Sequence, residues 1–169
     1  MNGIDVLKEL AKRPLDAATP LRDVTADRLN AHAGHDNSIA WLLWHAAREI
    51  DVQVAQLSGG QDEWTRGGWA ARLGVDRGSD EMGYGDSPEG ARAVVVNDAN
   101  LLVDHLEAVV AAHVAYLDTL SDDDLDDVID ENWSPPVTRG ARLVSASEDA
   151  LQHVGQANYV AQMADSAFA

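Results

Sequence analysis

The chain has 169 residues, no cysteine, and 29 acidic against 12 basic side chains, a formal net charge of −17 with histidine neutral. That length suits one domain with an unaided hydrophobic core, and the missing thiols exclude disulfides, thiolate metal sites, iron–sulfur ligation and a catalytic cysteine. The acidity argues against nucleic acid, which is held by clustered Lys and Arg, and against anionic membranes. The N-terminal run meets Lys8, Glu9 and the Lys12-Arg13 pair too early for a signal-peptide core. The longest apolar run, 39–47, is interrupted by His45 and falls far short of the roughly 20 residues a span needs. A cytoplasmic location is expected.

Four helices are expected, in one domain over 1–169. The first begins near Gly3, where Ile4, Leu7, Leu10 and Ala11 make one apolar face; Pro14 and Pro20 should kink or divide it. Thr25 reads as the cap of a short extra turn. His32 and His35 fall in the following loop, with Asp36 or Asn37 as N-cap of the second helix. That helix, 38 to about 57, is the most apolar part of the chain. Ile39, Leu42, Leu43, Ala46, Ile50 and Val54 form its stripe, and Trp41 and Trp44 widen it beyond a surface helix's needs.

Gly59-Gly60 ends the second helix. Residues 59–87 form a long glycine-rich connection holding Trp64 and Trp69, with a short helix around 68–73. Loops of this length are functional or disordered, and the tryptophans favour a packed one. Ser87-Pro88-Glu89 has the cap, the first-turn proline and the acid of a helix start. The third helix should run from there to about Leu120 through Val94, Leu101, Leu102, Val109 and Leu117. A short acidic turn follows, then an extended connector over 129–139 with Pro135-Pro136. The last helix runs from Gly140 or Arg142 to about Met163. Four helices with long connections point to an all-α four-helix bundle.

Two features of the core helices are chemically unusual. His45 sits among apolar neighbours, where a histidine is ordinarily a hydrogen-bonded core residue. Asp149 and His153, at i and i+4, share one face of the last helix about 5–6 Å apart at Cβ. Such a pair can close on a divalent ion or form a plain surface ion pair. Taken together, His45, Asp149 and His153 would make a two-histidine, one-carboxylate site in a bundle core. Three protein ligands leave positions open for water or substrate. The N,N,O set fits zinc, nickel, iron(II) or manganese, and ligand type alone does not select among them; zinc is the expected ion. Arg48, one turn after His45, could bind an anionic substrate or a supporting carboxylate, or be an exposed helix arginine. Arg139 and Arg142 face the same choice, with Arg142 suited to tying the connector to the helices. His105 and His113, two turns apart, are too distant to share an ion and read as ordinary, partly buried or exposed residues. The acidic run 122–127 lacks the calcium-loop pattern.

The run Asn37-Ser-Ile-Ala-Trp-Leu-Leu-Trp-His45-Ala-Ala-Arg48 resembles the metal-ligand helix of the DinB-like superfamily, in the branch of mycothiol-dependent maleylpyruvate isomerases and related thiol transferases. Gly67-Gly-Trp69-Ala, Trp133-Ser-Pro-Pro-Val-Thr-Arg-Gly140, Arg142-Leu-Val-Ser and Gln152-His-Val-Gly-Gln156 follow in the order the resemblance requires. The resemblance implies an up-down-down-up four-helix bundle, a homodimer, and a divalent metal held by the residues matching in position: His45, Asp149 and His153. Many members have a histidine where Asp149 stands, and the isomerase branch usually has Glu. The isomerase's additional C-terminal domain has no counterpart in these residues, so isomerisation is not carried over.

With no thiol in the chain, a sulfur nucleophile would have to arrive as a small molecule, mycothiol or bacillithiol by the resemblance. The arginine-rich composition, ten Arg to two Lys, mildly favours mycothiol. Trp41, Arg48 and Trp69 are the residues expected to bind this cosubstrate. The expected function is metal-dependent conjugation of the thiol to an electrophilic small molecule. A non-catalytic metal-binding stress protein, or a metal-hydroxide hydrolase on the same fold, is the alternative.

Overall fold

A capping box opens α1 (Gly3–Ala18): the Asn2 side chain accepts from the Asp5 N–H, and the Asp5 carboxylate accepts from the Asn2 N–H. The computed structural model describes residues 1–168. Pro14 does not divide α1. Its ring is buried and the helix continues to Ala18, after which Pro20 opens a single 3-10 turn, Thr19–Asp23. Thr25 caps the short α2 (Ala26–Leu29), as its spacing implies.

The central helix, α3 (Ile39–Ser58), is capped by Ser38 rather than Asp36 or Asn37. The Ser38 hydroxyl accepts from the Trp41 N–H, and Gly59 closes the helix in the left-handed region at φ 68°. Every residue from Ile39 to Val52 is buried. The connection after it carries two short helices, α4 (Glu63–Arg66) and α5 (Trp69–Leu73), and is packed: Trp64, Trp69, Leu73 and Val75 all lie in the core.

The third predicted helix is interrupted. Ser87 caps α6 (Pro88–Arg92), and α7 (Ala99–Leu117) starts afresh under an Asp98 cap. Between them the β-branched run Val94-Val95-Val96 is in neither helix nor strand. The Asn30 side chain both donates to the Val96 carbonyl and accepts from its N–H, giving that backbone partners a helix would otherwise supply. The connector before the last helix folds into a two-stranded antiparallel ribbon, β1 (Val128–Asp130) with β2 (Val137–Thr138). Thr138 then caps α8 (Arg139–Ala161), one residue ahead of the expected start.

The chain is thus mostly helical, and α1 and α3 each pack against both α7 and α8. No helix among the described residues is long and apolar enough to cross a membrane.

His105 and His113 are not the exposed or half-buried pair their spacing suggested. They are 0% and 1% exposed on the inner face of α7, and none of their ring nitrogens has a hydrogen-bond partner. His105 lies between Trp64 and Trp69, with ring centroids 5.3 and 5.0 Å away. Burial, with Arg48 and Arg72 adding to it, pushes His105 down to about 3; burial alone pushes His113 down to about 4. Both titrate lower in the folded than in the unfolded chain, where histidine takes its proton near 6.5. Their neutral state therefore supports the fold above about pH 6.5, and stability falls as the pH drops from there towards 4 and below, by up to about 1.4 kcal/mol per pH unit for each histidine. Urea unfolding between pH 7 and pH 4.5 should show this loss, and His113→Leu should reduce its slope; an identical slope in the variant would rule His113 out.

Candidate metal centre

Helices α3 and α8 run antiparallel across the site, so His45 comes to face His153. Their ring centroids are 4.5 Å apart at 72°. One ligand atom from each of His45, Asp149 and His153 lies within 4.8 Å of the other two. The three residues that sequence spacing selected on two helices are therefore brought to one point. His45 is buried, whereas Asp149 and His153 are half-buried, so the group is open on the α8 side.

Both imidazoles are oriented for coordination. The His45 Nδ1–H donates to the Met82 carbonyl, and the His153 Nδ1–H donates to Gln156 Oε1 at 3.0 Å. Each ring then presents Nε2 as an unprotonated ligand atom, the arrangement by which outer partners fix a metal-binding histidine. Burial, the largest influence, keeps the His45 ring below the ordinary histidine range. Two imidazole nitrogens and a carboxylate oxygen are hard-to-borderline donors suited to zinc or a similar divalent ion.

The structure assigns the other predicted residues to support. Trp41 is buried: its indole stacks on His45 at 4.5 Å and 20°, and its Nε1–H donates to Asp86 at 3.0 Å. Arg77 holds the same Asp86 carboxylate through two hydrogen bonds. Arg48 is fully buried with its donors engaged. It pairs with Asp51 and Asp62 and donates to the carbonyls of Ser79 and Glu81, leaving no guanidinium face for an anionic substrate. Trp69 lies against His105 and under Arg72, away from the three ligands. Arg139 bonds Asp127 and the Tyr116 hydroxyl, and Arg142 reaches Asp130 of β1 at 3.6 Å, so both tie the connector down.

Sequence reasoning passed over two contributors. One is Glu49, a full turn after His45 and 8% exposed, which burial and then the facing Asp149 push up to about 7. The i,i+4 spacing from His45 was the signal for it. The other is the strap over 78–86, whose backbone clamps His45; a carbonyl leaves no trace in a sequence. A cavity of about 620 Å³ adjoins the centre, lined by Leu42, His153, Gln156, Tyr159, His35 and Asn37 among others.

Comparison with known proteins fits this geometry. The model of the DinB superfamily matches residues 9–157. The chain belongs to the DinB superfamily. This DinB-superfamily chain is also similar to a crystal structure titled as the conserved protein of a locus from Enterococcus faecalis. The two share 36% identity over 96% of each chain, with a TM-score of 0.87. No curated protein matches.

Within the strap, Gly83 adopts φ +91°, and a Cβ there would sit 2.8 Å from Trp44, 3.1 Å from Trp41 and 3.2 Å from His45 Nδ1. Gly83→Ala should therefore strain the backbone and push the strap off His45. The expected result is a loss of about 1–3 kcal/mol of stability, together with a roughly 10–100-fold weaker hold on zinc. Chelator competition and urea unfolding on the same preparation measure both; unchanged zinc affinity would separate the strap from ligand positioning.

Proposed function

We propose that this chain is a divalent-metal-dependent transferase that joins a low-molecular-weight thiol to an electrophilic small molecule. The observation that carries the reading is the convergence of three ligand side chains, His45, Asp149 and His153, the last of which also lines a neighbouring cavity. A bound divalent ion lowers the pKa of a thiol or water held at its open position, making a nucleophile at neutral pH. His45, Asp149 and His153 would hold that ion. The thiol would give its proton to solvent, its sulfur would form a bond to the electrophilic carbon, and the leaving group would depart with the bonding pair.

The cavity walls favour one kind of thiol. Asn37, Gln156, Tyr159 and His35 offer hydrogen-bonding groups, Leu42 and Val160 offer apolar surface, and no Lys or Arg is among the lining residues. Such walls suit a thiol recognised through hydroxyl and amide groups, as mycothiol would be, better than one recognised through carboxylates. Contacts of α1 and α3 with α7 and α8 support the up-down-down-up four-helix bundle that the mycothiol-dependent branch implies. Assembly as a homodimer belongs to the same reading.

Elemental analysis of purified wild type and of Asp149→Ala, followed by conjugation of mycothiol to a fluorogenic electrophile, tests the proposal. Wild type should carry a divalent ion and turn over; Asp149→Ala should lose most of the ion and the activity. Wild type that takes up no divalent metal, or that conjugates no thiol when loaded, would sink it. Ester hydrolysis by the loaded protein without conjugation would point instead to hydroxide chemistry at the same centre.

A further inference from the structure

The antiparallel register of α3 and α8 aligns two motifs head to tail, His45-x-x-x-Glu49 and Asp149-x-x-x-His153. His45 meets His153, and one turn further along Glu49 meets Asp149, the two carboxyl groups lying within hydrogen-bond reach. The Glu49 side chain is 10% exposed, and its Oε1 lies 3.9 Å from His45 Nε2. Its other oxygen accepts from Gln53 Nε2 at 3.1 Å, so one lobe of the carboxylate is fixed and the other faces the ligand group. Among the described residues, the nearest basic side chains to Glu49 and Asp149 are His45 and His153, at 3.9 and 3.5 Å; no Lys or Arg lies within 4.0 Å of either carboxylate.

A buried carboxylate needs a counter-charge or full hydrogen bonding, and Glu49, facing the half-buried Asp149, has no Lys or Arg to supply it. We propose that Glu49 is a fourth protein group of the metal centre, its Oε1 on the side of the ligand group, in a five-coordinate site that still leaves one position for water or substrate. Two imidazoles and two carboxylates then neutralise a divalent cation. This assignment rests on the metal-binding reading above and adds a residue that the resemblance does not supply. It also makes Glu49 a residue kept for the ion at the expense of the metal-free fold, the trade expected of a functional group in a core.

Glu49→Gln is close to isosteric and removes the charge; Glu49→Asp keeps the charge on a shorter arm. Zinc affinity by chelator competition, and Tm with and without zinc, are the readouts. Glu49→Gln should bind zinc at least about 10-fold more weakly than wild type, comparable to or beyond the loss of an outer-shell partner. Its Tm without metal should equal or exceed that of wild type, while the rise on adding zinc shrinks. Glu49→Asp should keep more of the affinity than Glu49→Gln. Wild-type zinc affinity in Glu49→Gln would overturn the assignment and leave the three-ligand centre standing, and a lower metal-free Tm at unchanged affinity would make Glu49 structural. Failure of wild type itself to bind any divalent ion would bring down the metal reading and this inference together.

Discussion

A helix buried around its whole circumference tolerates polar side chains only where each finds a partner. Helix α3 carries His45, Arg48, Glu49 and Asp51 in under two turns, all of them buried. Much of the remaining architecture follows from satisfying them. Asp51 accepts from the N–H groups of Glu63 and Trp64, which docks the start of α4 against α3. Arg48 pairs with Asp51 and Asp62 and reaches two carbonyls of the strap, those of Ser79 and Glu81. The next carbonyl along, that of Met82, accepts a hydrogen bond from the His45 Nδ1–H. A glycine-rich connection that would otherwise be a loose loop is therefore folded by the hydrogen-bonding demand of the helix before it.

The same demand gives the metal centre its asymmetry. His45 is fixed on every side: Met82 below its Nδ1, Trp41 stacked on its face, and Gly83 close enough that no side chain fits there. Trp41 is itself held through Asp86 and Arg77. Asp149 and His153 stand on the more exposed helix, with Gln156 alone orienting the imidazole. The centre is less covered on their side, and His153 also lines the neighbouring cavity. A rigid ligand from the core facing two from a more exposed helix provides both a preset geometry and a route in, the combination an open metal site requires.

How much of this a sequence displays depends on whether the cause is local. The ligands were legible because helical spacing is local: Asp149 and His153 had to share a face, and His45 stood out against apolar neighbours. Family resemblance then paired the two helices. Arg48 was less legible. Its exposure could not be judged without knowing that α3 is buried on all sides, although Asp51 at i+3 hinted at a partner. His105 was within reach, since it continues the inward face of Leu102, Leu106 and Val109. The break at 93–98 was not, because the fixing contact comes from Asn30, 66 residues away. Trp69 shows the same limit: its motif marks the family, but only the path of the connection decides that it packs on His105 and not on the ligands.

Two charge clusters built on neighbouring residues of α3 lie one after the other, and their difference bears on function. Arg48 brings a cation to Asp51 and Asp62, so that cluster is complete within the chain, and backbone N–H groups complete the hydrogen bonding of Asp51. Glu49 and Asp149 meet one residue further along, with histidine as the basic neighbour of each. A closed cluster of the first kind stabilises a loop and needs nothing from solution. The second gains its balancing charge when a divalent ion is held, which makes ion binding and the electrostatics of the core a single event. On the proposed reading the net charge of −17 is then divided physically: most of it is solvated surface, while the share carried by Glu49 and Asp149 is compensated in the working protein by a cation that the sequence does not contain.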